Sequence, residues 1–229
     1  MYSFWRDWFA QPDEAKRHHL RSPGRGGWYP PGSESPGYDA VADTKEYFHV
    51  RAHHCELDAA TWDVWVDCYG RAQRWLFEHD LPELAALDVN NHVLRVLRYP
   101  PTSDGAVGAA HCDFDLLTVT VPATAAGLEA WSVAYGAGAW GPAEPHSVHV
   151  GEMLAHYTRN YRRVDPLLAT PHRVRVAPNT ERLSAAFFWL PPGDFVLRPG
   201  LTAADYLRET LTKAGTASVG TPGATRPVA

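Results

Sequence analysis

Hydrophobic and polar positions change their period once along this chain. Across residues 58–78, Trp62, Trp65, Val66, Tyr69, Ala72 and Leu76 recur at three-and-four spacing, which predicts one helix with an apolar face. Pro82 ends or restarts this helical region, because proline brings no N–H to a helix interior. From Asn91 the pattern becomes short alternating runs, at 93–99, 109–121, 127–133, 147–150, 172–176 and 182–190, separated by Pro, Gly, Asn and Asp. Such runs predict strands, and strands at this spacing predict a sandwich or jelly roll. A helix over 151–157 interrupts them, and Thr202 is placed to cap a last helix over Ala203–Lys213.

The first fifty residues are less regular. Residues 13–16 form a short helix with Pro12 at its start. Residues 22–38 read as an ordered, turn-rich loop whose Trp28, Tyr29 and Tyr38 must pack on something; they are candidates for a wall over a functional site. The expected organisation is mainly β with flanking helices in a single domain. Residues 1–90 form a helical and loop region packed on a core at 91–200, followed by a C-terminal helix at 201–213 and a tail of small residues at 214–229.

Composition narrows the function classes. The chain has 229 residues and a net charge of −5, so no basic field favours nucleic acid or an anionic membrane. No apolar run is long enough to span a bilayer, and residues 1–7 do not read as a signal peptide. The three cysteines, Cys55, Cys68 and Cys112, lack metal-site spacing and pair into no obvious framework, which points to a reducing cytoplasm.

Candidate chemistry starts at His111-Cys112-Asp113. In a strand, alternate side chains share a face, so His111 and Asp113 point one way and Cys112 the other. Leu116, Leu117 and Val119 mark that stretch as buried, where an unpaired carboxylate is costly. His172 opens a later strand, and two imidazoles with one carboxylate make the open-sided ligand set of non-heme Fe(II) oxygenases. Arg182-Leu183-Ser184 then places a guanidinium and a hydroxyl on one face of the next strand. A guanidinium there can hold a carboxylate through parallel hydrogen bonds, or can form a surface ion pair with Glu181.

The order of motifs resembles the isopenicillin N synthase-like superfamily of Fe(II)- and 2-oxoglutarate-dependent oxygenases. The matching text is Leu97-Arg98-Tyr99-Pro100-Pro101, His111-Cys112-Asp113 with Leu117-Thr118, and Gly127-Leu128-Glu129. It continues through Val148-His149-Val150-Gly151-Glu152, Pro171-His172-Arg173-Val174 and Arg182-Leu183-Ser184 with Phe187-Phe188. The resemblance implies a double-stranded β-helix (jelly roll) holding Fe(II) by His111, Asp113 and His172. It implies that Arg182, Ser184 and Tyr99 bind 2-oxoglutarate, and that O2 is the second cosubstrate. The implied activity is a dioxygenase that hydroxylates, desaturates or cyclises a small molecule at an unactivated C–H bond. An Ala-, Arg-, Pro- and Gly-rich chain fits a GC-rich bacterial genome, where such relatives tailor specialised metabolites of the antibiotic kind. Phe188 shares the inward parity of Arg182 and Ser184 and is the candidate substrate contact.

Two other readings stand beside this one. An oxidase of the isopenicillin N synthase type keeps the Arg-x-Ser pair without using 2-oxoglutarate; it also has a C-terminal glutamine, whereas this chain has only Gln11 and Gln73. A non-catalytic jelly-roll binding protein would be expected to lack one of the ligands or the arginine, and all are present.

Overall fold

The computed structural model describes residues 1–21, 26–33, 44–54, 57–132, 138–161 and 166–213. Six helices occur among them: α1 Tyr2–Phe9, α2 Asp13–Arg17, α3 Ala59–Glu78, α4 Pro82–Ala85, α5 Glu152–Tyr161 and α6 Ala203–Lys213. The strands up to the first half of the core are β1 Gly27–Tyr29, β2 Glu46–Val50, β3 Val93–Tyr99, β4 Ala106–His111, β5 Leu117–Val121 and β6 Leu128–Ser132. Those that follow are β7 Ala139–Pro142, β8 Val148–Val150, β9 His172–Val176, β10 Arg182–Trp189, β11 Val196–Arg198 and β12 Leu201–Thr202.

The strands form a six-stranded sheet in the order β1-β2-β3-β10-β5-β8, a four-stranded sheet in the order β4-β9-β6-β7, and the small β11-β12 pair. Every neighbouring pair in the two larger sheets is antiparallel. This is the jelly roll that the strand spacing predicts.

Alternation along the six-stranded sheet divides its two faces. Trp28, Phe48, Leu94, Val96, Val119, Leu183, Ala185, Phe187 and Trp189 belong to the main hydrophobic core on the outer face. Helices α1 and α3 cover that face: Trp5 lies 5.2 Å from Phe48 and Trp65 lies 5.2 Å from Phe187, ring centre to ring centre. Asp58 caps α3, accepting the N–H of Thr61 at 2.9 Å, a contact generally worth about 1 kcal/mol. A buried ionic knot ties α2 to the sheet. Glu46 accepts from Lys16 at 2.8 Å and Trp28 at 3.0 Å through one oxygen, and from Arg98 at 3.0 Å through the other.

Several expectations need correction. The buried stripe of α3 runs through Thr61, Trp65, Cys68, Ala72 and Leu76, and Val66 is exposed because it falls one position off that stripe. The run 109–121 is not one strand: β4 ends at His111 and β5 begins at Leu117, so the chain turns between them. The predicted loop 22–38 contains β1, recruited by pairing with β2, and its Tyr38 lies outside the described residues. So do Cys55, residues 162–165 and the tail 214–229. Helix α1 carried no expectation; its Trp5, Trp8 and Phe9 are fixed by tertiary packing. Among the described residues no helix is long and apolar enough to cross a membrane.

Candidate iron and 2-oxoglutarate site

The inner faces of the two sheets meet at His111 and His172. These residues are register partners on antiparallel neighbours, His111 ending β4 and His172 opening β9, with ring centres 4.4 Å apart. Asp113 reaches them because the chain turns after His111. Its Oδ1 lies 3.7 Å from Nε2 of His111, and its Oδ2 lies 3.6 Å from Nε2 of His172. One donor atom from each residue falls within 4.8 Å of the others, the grouping that can hold a metal ion. The strand periodicity that put His111 and Asp113 together was therefore right in outcome and wrong in cause.

The surroundings fix the ligand atoms. Nδ1 of His111 lies 2.8 Å from the carbonyl of Ala109, and Nδ1 of His172 lies 3.2 Å from that of Thr170. A carbonyl only accepts, so the protons sit on Nδ1 and both Nε2 lone pairs face the gap. Burial, followed by the charge of His172, holds the His111 imidazole below its ordinary value. Burial works to raise the Asp113 carboxyl, but the two imidazoles and the Thr118 hydroxyl outweigh it and hold the group ionised. Thr118 donates to Asp113 Oδ2 at 2.6 Å, and its oxygen also lies 3.0 Å from Asp115. Burial, followed by the charge of Asp113, pushes the Asp115 carboxyl well above its ordinary value. Cys112 points out of this gap, toward Glu152; burial and then that carboxylate raise its thiol to about 11.

Deeper between the sheets lies a second constellation. Arg182 on β10 is the register partner of Tyr99 on β3, and both are buried with Ser184. Nη1 of Arg182 donates to Ser184 Oγ at 2.7 Å, Nε donates to the Ala125 carbonyl at 3.2 Å, and the guanidinium lies 5.8 Å from the Tyr99 ring centre. Among the described residues no carboxylate pairs with it. Glu181, the neighbour that could have done so, is held by Arg98 at 2.8 Å and Arg6 at 3.1 Å on the other face. A buried guanidinium without an anion is costly, so the site suits a carboxylate brought by a bound molecule. Gly108 keeps room for it: a Cβ there would lie 3.3 Å from Val174 Cβ and 3.5 Å from the Tyr99 hydroxyl.

Phe188 stands half-buried on the inner face, opposite Thr118 and 5.1 Å from the Arg95 guanidinium. Tyr29 also faces inward, stacked on Tyr47 at 4.4 Å. Trp28 does not: it belongs to the outer core with Trp8, because its partner Phe48 is an outward residue of β2. Sequence reading missed Thr118, His149 and Arg95. His149 is buried with its ring centre 5.2 Å from His172. Its signal was parity on a three-residue strand, too short to interpret without the register.

Residues 89–191 match the family model described as the 2OG-Fe(II) oxygenase superfamily. This stretch is similar to that superfamily. The gibberellin 3-beta-dioxygenase 2 of Arabidopsis thaliana is 33% identical over 126 residues, covering 52% of this chain and 34% of that protein. The chain thus spans about a third of the length of the curated relative it matches. A 2OG-Fe(II) oxygenase family protein from Caulobacter crescentus superposes with a TM-score of 0.68 at 24% identity, over 92% of this chain and 84% of that one. A full-length Neurospora crassa protein solved with alpha-KG superposes with a TM-score of 0.67 at 20% identity, over 92% and 80%. At these identities the superpositions establish the jelly-roll fold. Within the superfamily match, the His-Asp-His donor set fits Fe(II), and the unpaired guanidinium between the sheets fits 2-oxoglutarate.

Proposed function

We propose that this chain is an Fe(II)- and 2-oxoglutarate-dependent dioxygenase that oxidises an unactivated C–H bond of a small molecule by hydroxylation, desaturation or cyclisation. The observation that carries the reading is the convergence of His111, Asp113 and His172 within 4.8 Å, with the buried Arg182–Ser184 pair on the facing sheet. In this reading His111, Asp113 and His172 hold the iron. Arg182, Ser184 and Tyr99 hold the distal carboxylate of 2-oxoglutarate. Bound iron supplies the oxidative chemistry, in which 2-oxoglutarate and O2 yield succinate and CO2 as the substrate is oxidised.

The chain's own residues bind and orient. Thr118 fixes the Asp113 carboxylate, the backbone carbonyls of Ala109 and Thr170 fix the two imidazoles, and Arg182 positions the cosubstrate by charge and geometry. Phe188 lines the wall that the substrate meets and helps exclude water. A tailoring step in bacterial specialised metabolism is the proposed setting. The free thiols of Cys68 and Cys112 are in keeping with a reducing cytoplasm.

The test is succinate formation from 2-oxoglutarate, with no other substrate added, measured with Fe(II), O2 or the keto acid omitted in turn. All three should be required, and Asp113→Ala should abolish the signal while circular dichroism is unchanged. Succinate from the Asp113 variant would refute the ligand assignment. O2 consumption independent of 2-oxoglutarate would favour the oxidase reading instead.

A further inference from the structure

Strand β8 is three residues long and lies at the edge of the six-stranded sheet. Val148 and Val150 pack on the main core of the outer face, so His149 between them is the side chain that β8 turns inward. Its register partner is Thr118 on β5, the residue that donates to Asp113. The ring it packs on belongs to the facing sheet: it is that of His172, with centres 5.2 Å apart. His149 thus stands next to one candidate iron ligand and across the strand from the residue that fixes another. It is not a fourth ligand. Among the described residues, the donor atoms that lie within 4.8 Å of one another come from His111, Asp113 and His172.

The hydrogen bonds of this ring are half made. His149 is 4% exposed. Its Nε2 lies 3.1 Å from Ser147 Oγ, and Ser147 Oγ lies 3.0 Å from Thr120 Oγ1. Its Nδ1 is buried with no partner. The two ring nitrogens point to different sides, so Ser147 cannot serve both. A buried nitrogen left this way is costly and calls for an explanation. His92 is the contrasting case: its Nε2 is also buried without a partner, but its ring lies 3.9 Å from that of Trp189 and 5.8 Å from that of Tyr69. Packing among core aromatics accounts for His92. The ring of His149 packs instead on a group that a metal would occupy.

We propose that the cosubstrate completes His149: Nδ1 donates a hydrogen bond to the carboxylate that the keto acid places at the metal. A carboxylate only accepts, so the ring proton sits on Nδ1 and Nε2 accepts from Ser147. The Ser147 hydroxyl has that proton to give, and the Thr120 hydroxyl stands behind it as a donor in turn. The inference rests on the reading of this site as one for Fe(II) and 2-oxoglutarate. It gives the keto acid two protein contacts of different origin: the Arg182–Ser184 pair for the distal carboxylate, and His149 for the carboxylate at the metal.

The test uses the full chain loaded with Zn(II), a redox-inert stand-in for iron, and two probes. 2-Oxoglutarate carries both carboxylates, and pyruvate keeps the keto acid head without the distal one. His149→Leu should weaken both probes about tenfold, the effect expected of a hydrogen bond to a charged group, and leave Zn(II) affinity unchanged. Arg182→Lys should weaken 2-oxoglutarate and spare pyruvate. In the wild-type protein, nitrogen NMR of the histidine rings should find the His149 proton on Nδ1 once 2-oxoglutarate is bound, a readout that does not depend on how well a variant folds. 2-Oxoglutarate binding that depends on Arg182 and not on His149 overturns the inference and leaves the cosubstrate reading intact. A bare Nδ1 in the loaded wild type overturns it as well. So does an equal loss of Zn(II) in His149→Leu, because His149 would then support the metal ligands. If pyruvate binds with the His149 dependence while 2-oxoglutarate binds no better than pyruvate and is indifferent to Arg182→Lys, the His149 contact stands and the 2-oxoglutarate reading falls.

Discussion

The Thr118 hydroxyl donates to Asp113 Oδ2 at 2.6 Å, so one bond from β5 fixes a carboxylate that sits in a turn rather than a strand. Without it the carboxylate could rotate out of the gap between the two imidazoles. Removing a bond of this kind typically lowers metal affinity roughly 10- to 100-fold. Thr118→Val should therefore weaken Fe(II) binding by that order while thermal unfolding shows a folded protein, and Thr118→Ser should restore most of it. Titration with Co(II), followed by its visible spectrum, measures both.

Arg182 bonds Ser184 and the Ala125 carbonyl on the protein side, which orients its planar group for a carboxylate. Lysine keeps the charge and loses the fork. Arg182→Lys should weaken 2-oxoglutarate binding by about tenfold or more and leave metal affinity at the wild-type value. Calorimetric titrations of metal and cosubstrate separate the two, and equal loss of both would assign Arg182 a structural role.

The Glu46 knot makes a stability prediction. Lys16 and Glu46 are both almost fully buried, and without the Glu46 charge Lys16 keeps the exposed Asp13 carboxylate at 3.0 Å and the Phe9 carbonyl at 3.3 Å. Glu46→Gln should cost about 1.5–3 kcal/mol, read as a lower urea midpoint, with little effect on metal binding in the protein that remains folded. An unchanged midpoint would mean that Asp13 and the Phe9 carbonyl suffice for Lys16.

His92 gives the stability a pH dependence of defined sign. Its ring is fully buried and its Nδ1 accepts the N–H of Leu190 at 3.2 Å, so a second ring proton would face a donor. Burial, the largest cause, lowers its pKa from 6.5 to about 4. Between those values the unfolded chain binds a proton that the folded chain does not. Stability from this group is complete above pH 6.5, declines as the pH falls, and levels off near pH 4, a change of about 3 kcal/mol. Urea unfolding across that range should show the decline, and His92→Phe should remove this residue's share of it, leaving the share of the other buried histidines such as His54 and His149.

Much of the framework was legible because alternation is a local signal. Strands β3 and β9 run over the residues their patterns mark, and β10 ends one residue short of its run. Helix α3 starts at its Asp58 cap. The continuous apolar character from Leu116 onward hid the break between β4 and β5, because a turn that delivers a ligand looks like more strand. Trp28 and Tyr29 are adjacent and equally aromatic, and only pairing with β2 decides that Trp28 faces the helices and Tyr29 the chamber. Thr118 reads as an ordinary strand former until Asp113 is beside it.

The central claim is tested most directly by adding Fe(II) and then 2-oxoglutarate to the protein under anaerobic conditions and recording the visible spectrum. A metal-to-keto-acid charge-transfer band should appear with the wild type, be absent in Asp113→Ala, and require more 2-oxoglutarate in Arg182→Lys. Folded wild-type protein that shows no band at saturating iron and keto acid would contradict the account.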